Sequence, residues 1–130
     1  MHSILLRIKE NRQALKLIEK IQKELFKDNF EVSEIVTDLK KLREITLELN
    51  NPVVTKALRL AYEHLENNNG FFIGIPDDEP IDSKDAELEV KISDENNVES
   101  FNYFLSLLTD LEKKNNVLDL KEYNKAFLAY

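Results

Sequence analysis

The chain has 130 residues, no cysteine, 42% hydrophobic and 33% charged residues, and a formal net charge of -7. That size and balance fit one folded domain with a single core and exclude both a disordered, highly charged chain and a two-domain protein. The lack of cysteine excludes disulfide frameworks, thiolate zinc sites and thiol catalysis.

The charge is unevenly placed. Residues 1 to 70 carry 12 Lys+Arg against 11 Asp+Glu, a net of +1, whereas residues 71 to 130 carry 6 against 14, a net of -8. Between Asp77 and Glu99 there are ten acids and two lysines. A field of that sign repels nucleic acid and attracts a basic partner. At the start of the chain Arg7 interrupts the apolar run Ile4 to Leu6, so no secretory core is expected there, and no run approaches membrane-spanning length. The expected location is the cytoplasm.

Residues 3 to 27 contain no Gly or Pro and place Ile4, Ile8, Leu15, Ile18, Ile21 and Leu25 on one face, which predicts a first long helix. Its opposite side carries a basic stripe, Lys9, Arg12, Lys16, Lys20, Lys23 and Lys27. The stripe reads as a solvated face, then as a dock for the chain's own acidic segment, and last as a nucleic-acid surface. Asp28 and Asn29 supply a turn, and Val32, Ile35, Val36, Leu39, Leu42, Ile45 and Leu49 mark a second helix. Asn51 before Pro52 is a start signal for a third, since Asn caps and Pro loses nothing at the first helical position. That helix carries Val53, Val54, Ala57, Leu58, Ala61 and Leu65, and it ends through three asparagines at Gly70, expected as a left-handed cap.

From Phe71 the pattern changes. Residues 71 to 75 (FFIGI) form an apolar, β-prone run, and residues 86 to 92 (AELEVKI) alternate apolar and charged side chains. Two strands joined by an acidic loop with two prolines are expected, as a β-ribbon lying on the helices or pairing with another chain. Asn97 caps a fourth helix with Val98, Phe101, Phe104, Leu105, Leu108 and Leu111 on its apolar face, ending near Asn115 and Asn116. Asp119 and Glu122 have capping-box spacing, Leu118 and Tyr123 are placed as the staple, and a fifth helix runs from there to residue 130. The expected fold is mainly α (α+β): a single domain, a five-helix bundle in the order αααββαα. It comprises a three-helix section (1 to 70), a two-stranded ribbon with an acidic loop (71 to 92) and two C-terminal helices (97 to 130).

Chemical motifs are sparse. Arg59 and His64 stand as R-LAYE-H on the third helix, a spacing that resembles the R-x4-6-H motif of the HEPN ribonucleases, small all-helical domains. The resemblance implies RNA cleavage with Arg59 on phosphate and His64 as acid or base; Leu60 stands where that family commonly has a polar residue. His2 and His64 are the only histidines, and the acidic loop lacks the EF-hand order, so no metal or other cofactor is expected. No nucleophile elbow or phosphate-cradling glycine loop is present, so no catalytic residues are assigned.

Adjacent residues on a strand face opposite ways, so of Phe71 and Phe72 one is either exposed to a partner or covered in a ribbon buried on both sides. The leading expectation is a non-enzymatic binding domain, of inhibitor or immunity type by analogy, that presents Phe71, Phe72, Asp77, Asp78, Glu79 and Asp82 to a basic protein. The alternatives are a homodimeric module using the ribbon edge and the HEPN-like ribonuclease. Neither a nucleic-acid nor a membrane partner is expected in the leading reading.

Overall fold

The computed structural model describes residues 8 to 27, 30 to 76 and 97 to 130. A 3-10 turn (Ile8–Glu10) is followed by α1 (Arg12–Leu25), α2 (Val32–Glu48), α3 (Pro52–Asn68), α4 (Val98–Leu107) and α5 (Lys114–Ala129). The largest helix pair is α2 with α3, and α3 also packs on α5, α5 on α4, α4 on α1 and α1 on α2, so the five helices close a ring around one core. That core includes Ile18, Ile21, Leu39, Leu42, Leu58, Leu65, Phe104 and Tyr123.

Local chemistry accounts for most boundaries. The first helix starts at Arg12, not residue 3, because the Asn11 carboxamide accepts from the Ala14 N–H at 2.8 Å and so caps a new helix instead of continuing the preceding turn. Residues 1 to 7 and the predicted turn at Asp28 and Asn29 lie outside the described residues. Helix α2 ends in a Schellman arrangement. Asn50 takes φ 60, its N–H donates to the Leu47 carbonyl at 3.1 Å, and the Asn51 N–H donates to the Thr46 carbonyl at 3.1 Å. Asn51 then caps α3 by accepting from the Val54 N–H, with Pro52 at the first position, as the sequence predicts. Thr46, fully buried between α2 and α3, is satisfied by Thr55 at 2.8 Å and by the Arg43 carbonyl at 3.0 Å.

Several expectations are corrected. The left-handed residue after α3 is Asn69 (φ 58, ψ 36), and Gly70 has no positive φ; a short polar side chain suffices for that conformation. Helix α4 is capped by Asn97 as predicted but stops at Leu107. There Ser106 and Thr109 hydroxyls bond back to the carbonyls of Tyr103 (2.7 Å) and Ser106 (3.0 Å), competing with helix continuation, and Asn116 ties the turn by donating to the Asp110 carbonyl at 2.8 Å.

Helix α5 begins at Lys114 with no side-chain cap, which puts Asp119 and Glu122 inside the helix. The capping box does not form. Asp119 accepts instead from the Tyr103 hydroxyl on α4, Glu122 pairs with Lys125 at 3.3 Å, Leu118 is exposed, and Tyr123 is in the core.

The β-ribbon is also overturned: no strand occurs among the described residues. Residues 71 to 76 form no helix and pair with no strand among the described residues. A strand needs a ladder for its backbone groups, and here two of them bond to helical elements instead. The Phe71 carbonyl accepts from the Asn97 N–H at 2.7 Å, and the Phe72 N–H donates to the His64 Nε2 at 3.0 Å. The second predicted strand, residues 86 to 92, lies outside the described residues, as do Asp77, Asp78, Glu79 and Asp82.

Candidate functional site

The described residues on either side of the acidic segment meet at one end of the bundle. Asn69 reverses the chain at the end of α3, after its N–H has donated to the Leu65 carbonyl at 2.7 Å. Phe71 then enters the core with no exposure. Its ring stacks on Phe101 of α4 at 4.3 Å and 11°, meets Phe127 of α5 edge-on at 5.8 Å, and meets His64 of α3 edge-on at 5.7 Å. It thereby bridges α3 and α4, which are not major neighbours in the helix ring. The same residue's carbonyl holds Asn97, the cap of α4. One phenylalanine therefore joins the end of α3 to the start of α4 by ring and by backbone.

His64 is the polar centre of this junction. Its side chain is buried, 5% exposed overall, within ring contact of Phe71, Phe72, Phe127 and Tyr130. Because Nε2 accepts the Phe72 N–H, the neutral ring carries its proton on Nδ1. The 3.3 Å contact from Nδ1 to Asn68 Nδ2 is then donor to donor, so the Asn68 amide's effective hydrogen bond is the one to the His64 carbonyl at 3.0 Å. Burial pushes the imidazole down from 6.5 to about 4, so it is neutral at physiological pH and acts as an acceptor for the main chain. Sequence reading singled out His64 as a catalytic candidate and missed this anchoring role. The only trace of it is the Phe pair that follows the helix end.

The predicted site residues separate. Phe71 is core, Phe72 is half-buried against His64 at 6.1 Å, and the four acids lie outside the described residues. Beyond Phe72, Gly74 and Ile75 are exposed, and a Cβ at Gly74 would meet nothing within 4 Å.

Arg59 and His64 are not brought together. Five residues apart on a helix, they point about 140° from one another. Arg59 forms an ion pair with Glu63 at 3.2 Å on the surface, while His64 faces the aromatic interior.

The stripe on α1 is partly engaged: Lys20 pairs with the buried Asp38 of α2 at 3.2 Å and Lys27 with Glu24 at 2.9 Å. Glu24 also accepts from the Glu31 N–H at 2.9 Å, and these donors hold its carboxyl below the usual range. Arg12, Lys16 and Lys23 are exposed. A broad open cleft of about 560 Å³ lies between α1 and α4, lined among the described residues by Glu19, Gln22, Lys23, Phe26 and Asn102, none of them a histidine or a hydroxyl nucleophile.

At the far side of α4, Tyr123 donates to the Ser100 carbonyl at 2.9 Å and shares a 2.8 Å contact with the Ser100 hydroxyl, and burial pushes its phenol up. Among the described residues there is no cluster of three His, Asp or Glu side chains that could hold a metal, and no helix is long and apolar enough to cross a membrane. Comparison with known proteins returns no match: no family model, no curated protein and no solved structure is similar to this chain.

Proposed function

We propose that this chain is a non-enzymatic binding domain whose helical body holds an acidic segment toward a basic protein partner. The observation that carries the reading is charge segregation: ten acids and two lysines between Asp77 and Glu99 beside a near-neutral 70-residue section. Two features of the bundle support it. The residues flanking the segment are fastened together through Phe71, His64 and Asn97, so the anionic stretch starts and ends at a fixed place. Before the acids, Ile75 is half exposed and Phe72 half buried, which supplies apolar contact next to charge. In this arrangement the acids accelerate encounter and the apolar residues slow dissociation.

The test is a variant carrying Asp77→Asn, Asp78→Asn, Glu79→Gln and Asp82→Asn. Proteins captured by the wild type are identified, and their association rates are measured against ionic strength. The variant should bind the same protein on the order of tenfold more slowly at low salt, with a flatter salt dependence. An unchanged partner set with unchanged on-rates removes the proposal.

A further inference from the structure

The joint between α3 and the Phe71 anchor contains chemistry that the binding reading does not use. Gly70 follows Asn69, and this is the one Asn-Gly pair in the sequence; the other glycine, Gly74, follows Ile73. Every other asparagine precedes a residue with a side chain, and Asn51 precedes Pro52, which has no amide hydrogen.

We propose that Asn69–Gly70 is this chain's site of spontaneous deamidation and main-chain rearrangement, held back in the native state by the left-handed cap. The Gly70 amide nitrogen attacks the Asn69 Cγ. The new N–Cγ bond forms as the Cγ–Nδ2 bond breaks, and the Gly70 amide proton departs with the nitrogen as ammonia. Water then opens the five-membered succinimide at one carbonyl to give aspartate or at the other to give isoaspartate. No oxidant or reductant is involved. Glycine matters because it places no Cβ beside the attacking nitrogen.

Three observations carry the proposal. Asn69 is exposed, so water and base reach its carboxamide. Its backbone is fixed at φ 58 and ψ 36, with its N–H bonded to the Leu65 carbonyl at 2.7 Å. Ring closure needs the Gly70 nitrogen eclipsed with Cβ, at ψ of roughly -120°, because substituents on the tetrahedral Cα are about 120° apart. The native ψ is far from that value, so the reaction waits for the joint to open. Opening is resisted two and three residues on, by the buried Phe71 ring and by the Phe72 N–H to His64 bond.

The products act on the same joint. Aspartate puts a negative charge at the C-terminal end of α3, where the helix dipole is already negative. Isoaspartate adds a methylene to the main chain between α3 and Phe71, and this shifts the Phe71 ring and the Phe72 N–H out of register with Phe101 and His64.

The full chain is incubated at mildly alkaline pH, folded and in urea, and conversion is followed by peptide mass spectrometry and isoaspartate detection. In urea, Asn69 should convert faster than any other asparagine. Folded, its rate should fall at least about tenfold, as expected for a reaction gated by local opening, and His64→Ala should restore most of it. Urea below the unfolding transition should accelerate the wild-type reaction too, which decides the matter if His64→Ala does not fold. Preferential conversion elsewhere in the unfolded chain, equal folded and unfolded rates at Asn69, or a native rate insensitive to sub-denaturing urea would each overturn the proposal.

Discussion

Replacing Phe71 with alanine removes the ring that ties α3, α4 and α5 together. The side chain has no exposure, stacks on Phe101 and touches Phe127 and His64 edge-on. A residual cavity of about 80 Å³ at about 24 cal/mol per Å³ costs about 2 kcal/mol, and the lost transfer of the ring from water costs about 2 kcal/mol more. The sum, about 4 kcal/mol, lies within the usual range for buried Phe→Ala changes and is a large share of the stability of a domain of this size. Phe72→Ala should cost less than about 1.5 kcal/mol, because that ring is half exposed and its hydrogen bond to His64 belongs to the backbone. Urea unfolding followed by circular dichroism measures both, with the midpoint falling at unchanged slope. A loss below about 1 kcal/mol for Phe71→Ala, or a larger loss for Phe72→Ala than for Phe71→Ala, would refute the assignment of Phe71 as the structural anchor.

Stability should also depend on His64 through pH. Its folded value, about 4, is below its ordinary 6.5, so the unfolded chain binds the proton first as pH falls. The contribution is complete above about 6.5 and is lost on descending toward 4, by about 3 kcal/mol at most, and His64→Leu should abolish that slope in urea midpoints taken across the window. Glu24, held below its usual 4.5, contributes above that value and loses its contribution at lower pH, so Glu24→Gln should alter only the more acidic limb. Tyr123→Phe deletes the bonds to Ser100 and should cost about 1 to 2 kcal/mol in the same assay. Asp119→Ala and Tyr103→Phe should couple in a double-mutant cycle by about 0.5 kcal/mol or more, whereas a capping-box Asp119 would show no coupling to Tyr103.

Local signals in the chain were sufficient for the helical class and for several termini. The apolar spacing of α2 and α3 falls on their buried faces, and Asn51 with Pro52 and Asn97 cap where their side chains predict, because a cap involves only residues three apart. Where a local signal had a rival at long range, the sequence misled. Asp119 and Glu122 have the spacing of a capping box, but the carboxylate of Asp119 finds the Tyr103 hydroxyl sixteen residues earlier. Residues 71 to 75 have strand composition, yet the Phe72 N–H bonds to a histidine side chain on α3 and the Phe71 carbonyl to the cap of α4.

The candidate site divides the same way. The concentration of acid after Pro76 can be read directly from the residues, since charge is a property of composition. Which of two adjacent phenylalanines faces inward, and what His64 does, depended on the ring of helices that closes around them. Burial and neutralisation of a histidine are properties of its surroundings, and those surroundings come from α3, α4, α5 and the chain between them, which only folding brings together.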